Sequence, residues 1–310
     1  MKLKHVFAIT LALIIGLSAL FTFVFAGKFA LGNTEQDFLI YASSYPMYAL
    51  SSMVLKDIPG MELHSFLQPQ DAGLSAYTLS DWDTALIDNC DVLILNGGGY
   101  EGFEGLLGTG DTILISAVSG LKYSVEDARI IDFTGSEQDT FEDPWLFMYT
   151  DGAMEVTEAI TANMLAVDEM YTEKYYENLG SARAYLENLA YELQALAPEK
   201  RLRVAAGHEA FYYTANELGF ECPVIFDRLP AQEHSNEEMS RMLKSLTDSG
   251  IDILLIESQA GEELIAYFED NGITVIPLDL MTSYTEKDGA DVFGRVLLNN
   301  AKRIREKTCK

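Results

Sequence analysis

Positive charge is scarce in this sequence. Against 48 aspartates and glutamates stand only 21 lysines and arginines, a formal net charge of −27 over 310 residues. So acidic a chain does not suit the phosphate backbone of a nucleic acid and does suit cations. Cysteine is also rare: three residues, Cys90, Cys222 and Cys309, which excludes a disulfide framework and leaves room for one bridge, between Cys222 and Cys309. Cys90 precedes an apolar run and reads as a buried free thiol. No cysteine precedes it, so none is placed to carry a lipid near the start. Histidine occurs four times, with no histidine-rich loop. Catalytic signatures are missing as well. His208-Glu209 is not an H-E-x-x-H pair, because the fifth position is Tyr212, and there is no G-x-S-x-G. Gly97, Gly99 and Gly102 spell G-x-G-x-x-G after an apolar run, but Gly108 and Gly110 interrupt the helix a pyrophosphate loop needs. No enzyme is expected.

What is present begins with a segment of different material. Lys2, Lys4 and His5 precede an uncharged apolar run from Val6 to Ala26. Residues 1–26 are therefore a signal peptide, with Val24-Phe25-Ala26 offering a cleavage site, or an uncleaved N-terminal membrane anchor. Both place the body outside the cytoplasm, in the periplasm or on the outer face of the membrane. The remainder, 48% hydrophobic over the whole chain, is long enough for two domains.

The body is organised around one stretch, Asp168 to Ala197. Tyr175, Leu179, Ala182, Leu186, Leu189, Leu193 and Leu196 follow one another at spacings of four and three, a single stripe along one helix. Asp168 is the expected N-cap and Pro198 the stop, and about 29 residues at 1.5 Å each give a rod of roughly 43 Å. On either side lie four strand-like runs: 38–42, 62–67, 92–96 and 112–116 before it, and 202–206, 223–226, 253–257 and 274–278 after it. Helical segments alternate with them, some with capping signatures such as Ser80 with Asp83 and Ser235 with Glu238. The expected fold is α/β: an N-terminal lobe (36–167) and a C-terminal lobe (201–310), each with a four-stranded parallel sheet flanked by helices, joined by a spine helix (168–197). A spine of this kind limits closure to small local movements.

Such folds bind ligands outside the carboxyl ends of their strands. Two polar residues stand there in the second half: His208 after LRVAAG and Asp279 after TVIPL. An imidazole and a carboxylate suit a borderline cation such as zinc, although either residue type at a strand end is more commonly a hydrogen-bonded structural group or a helix cap.

These residues lead to a resemblance. YASSYPMYAL at 41–50, TLSDWDTALIDNCDVLILNGGGYEGF at 78–103, DPW at 143–145, GHEAFYYTANELGFE at 207–221, EHSNEEM at 233–239, IDILLIESQ at 251–259 and PLDLM at 277–281 together resemble the ZnuA/TroA-like solute-binding proteins of zinc and manganese ABC importers. The resemblance implies an extracytoplasmic, monomeric receptor that captures Zn2+ or Mn2+ between two lobes and hands it to a membrane permease, without an organic cofactor. It carries the family's third and fourth ligands onto His208, the zinc-type choice, and Asp279. The first ligand position falls near Gly73 in QPQDAGLSAY, and the second is Trp145, so two histidines are substituted. Asp71, Glu142, Asp143 and His234 are the candidate replacement ligands. Trp145 alternatively lines a pocket for a metal chelate or another small ligand, stacking or making a cation–π contact, and a chain whose cleft has lost its ligand would serve as a surface or adhesion protein.

Overall fold

The computed structural model describes residues 37–66, 77–108, 110–121, 129–131 as backbone, 144–226 and 235–309. The apolar segment 1–26, Asp71, Glu142, Asp143 and His234 lie outside the described residues. No helix among the described residues is long and apolar enough to cross a membrane.

Among the described residues nine strands form two parallel sheets. In the first, β1 (Phe38–Ala42), β2 (Met61–Ser65), β3 (Val92–Leu95) and β4 (Ile113–Ser116) take the order β2-β1-β3-β4. The central strand β3 is buried along its whole length, as a strand covered on both faces must be. The second sheet holds β6 (Arg203–Ala206), β7 (Glu221–Phe226), β8 (Ile253–Glu257) and β9 (Thr274–Leu278), and it gains a fifth strand, β5 (Arg129–Ile131), in the order β5-β7-β6-β8-β9. All eight expected strands are present, within a residue or two. The ninth comes from a stretch that sequence assigns to a loop of the first lobe, and it pairs in parallel with Val224–Phe226, so the chain crosses to the second sheet once before the spine. Three residues carry too little periodicity to be read as a strand.

The helices are α1 (Tyr45–Val54), α2 (Asp81–Asn89), α3 (Thr150–Val167), α4 (Thr172–Leu196), α5 (Ala210–Glu217), α6 (Asn236–Asp248), α7 (Glu262–Asp270) and α8 (Val292–Thr308). Both expected capping boxes form, Ser80 with Asp83 on α2 and Ser235 with Glu238 on α6. The spine α4 starts four residues later than expected. Asp168 is not its N-cap but the C-cap of α3, and its Oδ1 accepts from Met170 N–H at 3.0 Å inside the tight link between the two helices. The rod is accordingly 25 residues, about 37 Å.

The stripe is buried at Tyr175, Ala182, Leu186, Leu189 and Leu193. Asn178, one position from the half-buried Leu179, is buried with it. Its Nδ2 donates to Val54 O (2.9 Å) and Lys56 O (2.7 Å), carbonyls at the end of α1. On another face α8 comes close enough that a Cβ on Gly294 would lie 2.2 Å from the Tyr185 hydroxyl, so a larger residue there would have to push that side chain aside. The N-terminus of α3, which has no side-chain cap of its own, is capped from α5: Glu217 accepts from Thr150 N–H (2.7 Å) and from its hydroxyl (2.9 Å). One hydrophobic core runs through both sheets and these helices, including Ile40, Leu50, Ile94, Leu186, Phe211, Leu255 and Phe293. A second core lies between the other face of the second sheet and α6 and α7. The thiols are free: Cys90 and Cys222 are buried, Cys309 is exposed, and the Cys222–Cys309 bridge is not formed.

Gly180 sits mid-helix in α4 with open space around its Cβ position. Gly180→Ala is expected to raise stability by about 0.5–1 kcal/mol, read as an upward shift of the chemical denaturation midpoint at constant slope.

Candidate metal site at the strand ends

The carboxyl ends of β6, β8 and β9, adjacent in the sheet, present His208, Glu257 and Asp279. Gly207 N–H donates to Leu255 O at 2.7 Å, which fixes the chain as it leaves β6. His208 follows, 6% exposed, its Nδ1 accepting from Ala210 N–H at 3.1 Å at the start of α5. That bond places the proton of the neutral ring on Nε2. Glu257 Oε1 stands 3.7 Å from this Nε2, beyond hydrogen-bonding range. The distance is close to the roughly 3.4 Å that separates two ligand atoms about 2.1 Å from one tetrahedral ion. Burial pushes the Glu257 carboxyl up to about 7.

Asp279 is held from both sides. Its Oδ1 accepts from Met281 N–H and its Oδ2 from the Tyr284 hydroxyl, each at 2.8 Å. Asn300 of α8 brackets its backbone, accepting from Asp279 N–H and donating to its carbonyl at 2.9 Å each. Met281, at φ 64°, is a left-handed residue without glycine's freedom, and the turn it makes brings its N–H back to the carboxylate. Each Asp279 oxygen retains a lone pair for a further partner.

Trp145 meets this group from the other half of the chain. Asn96, directly after β3, donates to Pro144 O at 2.8 Å, and the Trp145 ring then stands edge-on to His208, centroids 4.5 Å apart at 88°. Tyr100 packs against the other part of the indole at 5.0 Å. The Trp145 ring is thus packed directly on that of His208. Two oxygens after strands of the first sheet, Ser44 Oγ and Asn96 Oδ1, are buried without a hydrogen-bond partner. Among the described residues no group of three or more His, Cys, Asp or Glu side chains is set to hold an ion.

The glycine run after β3 has another use. Glu101, 1% exposed, folds back so that its carboxylate accepts from Asn96 N–H (2.8 Å), Gly97 N–H (3.0 Å) and the Ser43 hydroxyl. The amides that a pyrophosphate would need are taken by the chain's own carboxylate. Gly97, at φ +84° and with a Cβ position 1.9 Å from Ser116 Oγ, admits no side chain.

Two parallel sheets on one long helix, with an imidazole and two carboxylates at adjoining strand ends, define the class: a two-lobed solute-binding protein. The sequence model for "zinc-uptake complex component A periplasmic", ZnuA, matches residues 40–307, and the chain belongs to that family. No curated protein sequence matches it. Among solved structures it is similar to the solute-binding protein FpvC of Pseudomonas aeruginosa, described in complex with Mn2+, with 17% identity, a TM-score of 0.74 and coverage of 88% of this chain and 98% of that one. It is likewise similar to AdcAII of Streptococcus pneumoniae, at 20% identity, TM-score 0.68 and coverage of 88% and 100%. A mutant of the laminin-binding adhesin Lmb of Streptococcus agalactiae aligns at 18%, 0.69, 87% and 99%. At these identities the likeness is one of fold.

Of the residues singled out in the sequence, the structure places His208 beside Trp145, and it sets Asp279 at the end of the strand next to the one that ends in Glu257. Glu257, the last residue of its strand, is not among the sequence candidates, although the rule that ligands gather at strand ends includes it.

A carboxyl raised to about 7 is protonated in the fold at pH values where the unfolded chain is ionised. Its contribution to stability is therefore present below about pH 4.5, is lost as pH rises toward 7, and is flat above that. With a chelator present, Glu257→Gln is expected to melt several degrees above the parent at pH 8 and level with it near pH 4.5; an equal offset at both pH values would contradict this. Glu101→Ala, which strands two buried amides, is expected to cost about 2–4 kcal/mol in denaturant titration.

Proposed function

We propose that this protein is the extracytoplasmic receptor of an ABC importer, capturing a divalent metal cation between its two sheets for a membrane permease. His208, Glu257 and Asp279 are the protein ligands in this reading, with Ser44 and Asn96 as oxygens that a hydrated cation would satisfy. The observation that carries it is the placement of one imidazole and two carboxylates on three neighbouring strand ends, the first pair 3.7 Å apart. The imidazole favours zinc over manganese.

Loading has a local cost in this geometry. A metal-bound imidazole ordinarily donates through its second nitrogen, whereas Nδ1 of His208 accepts from Ala210 N–H. For Nε2 to bind, its proton must pass to Nδ1 at the expense of the Ala210 bond, or the ring must turn so that Nδ1 faces the cation, a rearrangement confined to the 208–210 turn. Binding in the micromolar range is the expectation, weaker than a site closed by four pre-set ligands. The Trp145 and Tyr100 rings beside His208 support a second reading, capture of a metal held in an organic chelate, with the aromatic wall contacting the chelator.

Calorimetric titration of metal-stripped residues 33–310 is expected to show about micromolar zinc binding, weaker manganese binding, and losses of at least about tenfold in His208→Ala, Asp279→Ala and Glu257→Gln. Zinc binding indifferent to all three substitutions, or none at all, would overturn the metal reading. A preformed zinc chelate binding tighter than free zinc, with the gain lost in Trp145→Ala, would select the second.

A further inference from the structure

A second cavity, of about 290 Å³, opens beside the carboxyl ends of β1 and β2 and the N-terminus of α2. Its residues include none of those assigned to the metal site. Four of them are aromatic: Tyr41, Phe66, Tyr77 and Trp82. Tyr41 and Phe66 stand edge to face, centroids 6.3 Å apart at 83°. Trp82 is 72% exposed, a large indole left in water by the first turn of α2 that borders the cavity.

The charged residues of the lining are as one-sided as the chain. Asp83 and Glu286 contribute carboxylates, and no lysine or arginine is present. Asp83 is 6% exposed, and its Oδ2 accepts from Ser80 N–H, the Ser80 hydroxyl and the Tyr77 hydroxyl at 2.7, 2.7 and 2.9 Å. Burial works against its charge, but these hydrogen bonds prevail and hold the carboxyl below its usual range. Glu286 arrives from the segment between β9 and α8. Its Oε2 accepts from Ser65 N–H at 2.8 Å and meets His64 Nδ1 at 3.2 Å. In both acids the other oxygen carries no hydrogen bond among the described residues. His64, whose Nε2 meets Glu62 at 2.9 Å, has both ring nitrogens engaged by carboxylates and offers neither to a metal. Even with that imidazole charged, Glu62, Asp83 and Glu286 leave the neighbourhood with a net negative charge.

We propose that this cavity is a binding site for a small organic ammonium ion, seated against the Trp82, Tyr41 and Tyr77 rings and neutralised by Asp83 and Glu286. Aromatic faces attract a weakly hydrated cation through their quadrupoles, and carboxylates at the same wall supply the countercharge. A bare divalent ion is disfavoured here, since it needs several oxygen ligands in place of its water and rings supply none. The volume fits a ligand at the lower end of small-molecule size. The site is independent of the metal reading, because none of its residues belongs to that site.

The test is titration of the full-length protein with choline and with 3,3-dimethylbutan-1-ol, its neutral isostere, followed by calorimetry and by tryptophan fluorescence. Saturable choline binding is expected below about 10 mM, with at least about tenfold weaker binding of the isostere. Trp82→Ala, at an exposed position, and Glu286→Gln are each expected to weaken choline by at least about fivefold, while leaving the circular dichroism spectrum and the zinc titration as in the parent. No saturation, equal affinity for the neutral isostere, or unchanged choline affinity in either correctly folded variant would overturn the proposal.

Discussion

The structure depends on burial of one face of α4. Its stripe packs against α3, and the helix also touches α1, α5 and α8, which cover both sheets, so a single continuous core joins the two halves. A side chain of the size of leucine buried in such a core is worth about 1.5–3 kcal/mol, and opening the halves widely would expose many at once. Polar ties run the same way: Asn178 to the end of α1, Glu217 to the start of α3, Tyr45 to Gly289 O at 2.8 Å, and Glu286 to Ser65 and His64. Residues 38–310 form one compact unit. A fold built this way rearranges by moving side chains and short turns, not by wide opening of its halves.

That rigidity gives the candidate metal site its character. Three strand ends of one sheet fix His208, Glu257 and Asp279 relative to one another, since neighbouring parallel strands hold their termini at set spacing. The first half contributes the Trp145 ring, packed on His208. Trp145 is placed by the Asn96 bond to Pro144 and by Tyr100, and its ring meets the imidazole in a T-shaped contact. Glu101 does comparable structural work next door: a buried carboxylate organises the glycine run after β3 and closes it to anions, in keeping with a chain whose net charge of −27 favours cations.

Eight of nine strands and the long helix were legible because each carries a periodic apolar pattern of ordinary length, and both capping boxes were legible because four residues contain their whole mechanism. The spine starts later than its local signals place it, because Asp168 satisfies the local rule for an N-cap equally well when it ends one helix and opens the turn to the next. Asn178 in the core was not anticipated, since a polar residue reads as solvent-facing until the carbonyls of α1 that satisfy it are seen. Of the site, His208 and Asp279 were legible from their place after apolar runs.

By itself the sequence determined the fold class, the acidic character of the chain and the strand ends after which His208 and Asp279 stand, all of which follow from composition and from patterns shorter than about twenty residues. Only the tertiary structure decided that Glu257 joins His208, that Trp145 lies on the imidazole, that a stretch of the first half adds a strand to the second sheet, and that Glu286 reaches His64 across 222 positions. The physical reason is common to all four. Each is a contact between segments far apart in the chain, fixed by sheet order and helix packing, and no local pattern of residues encodes which distant segment will arrive.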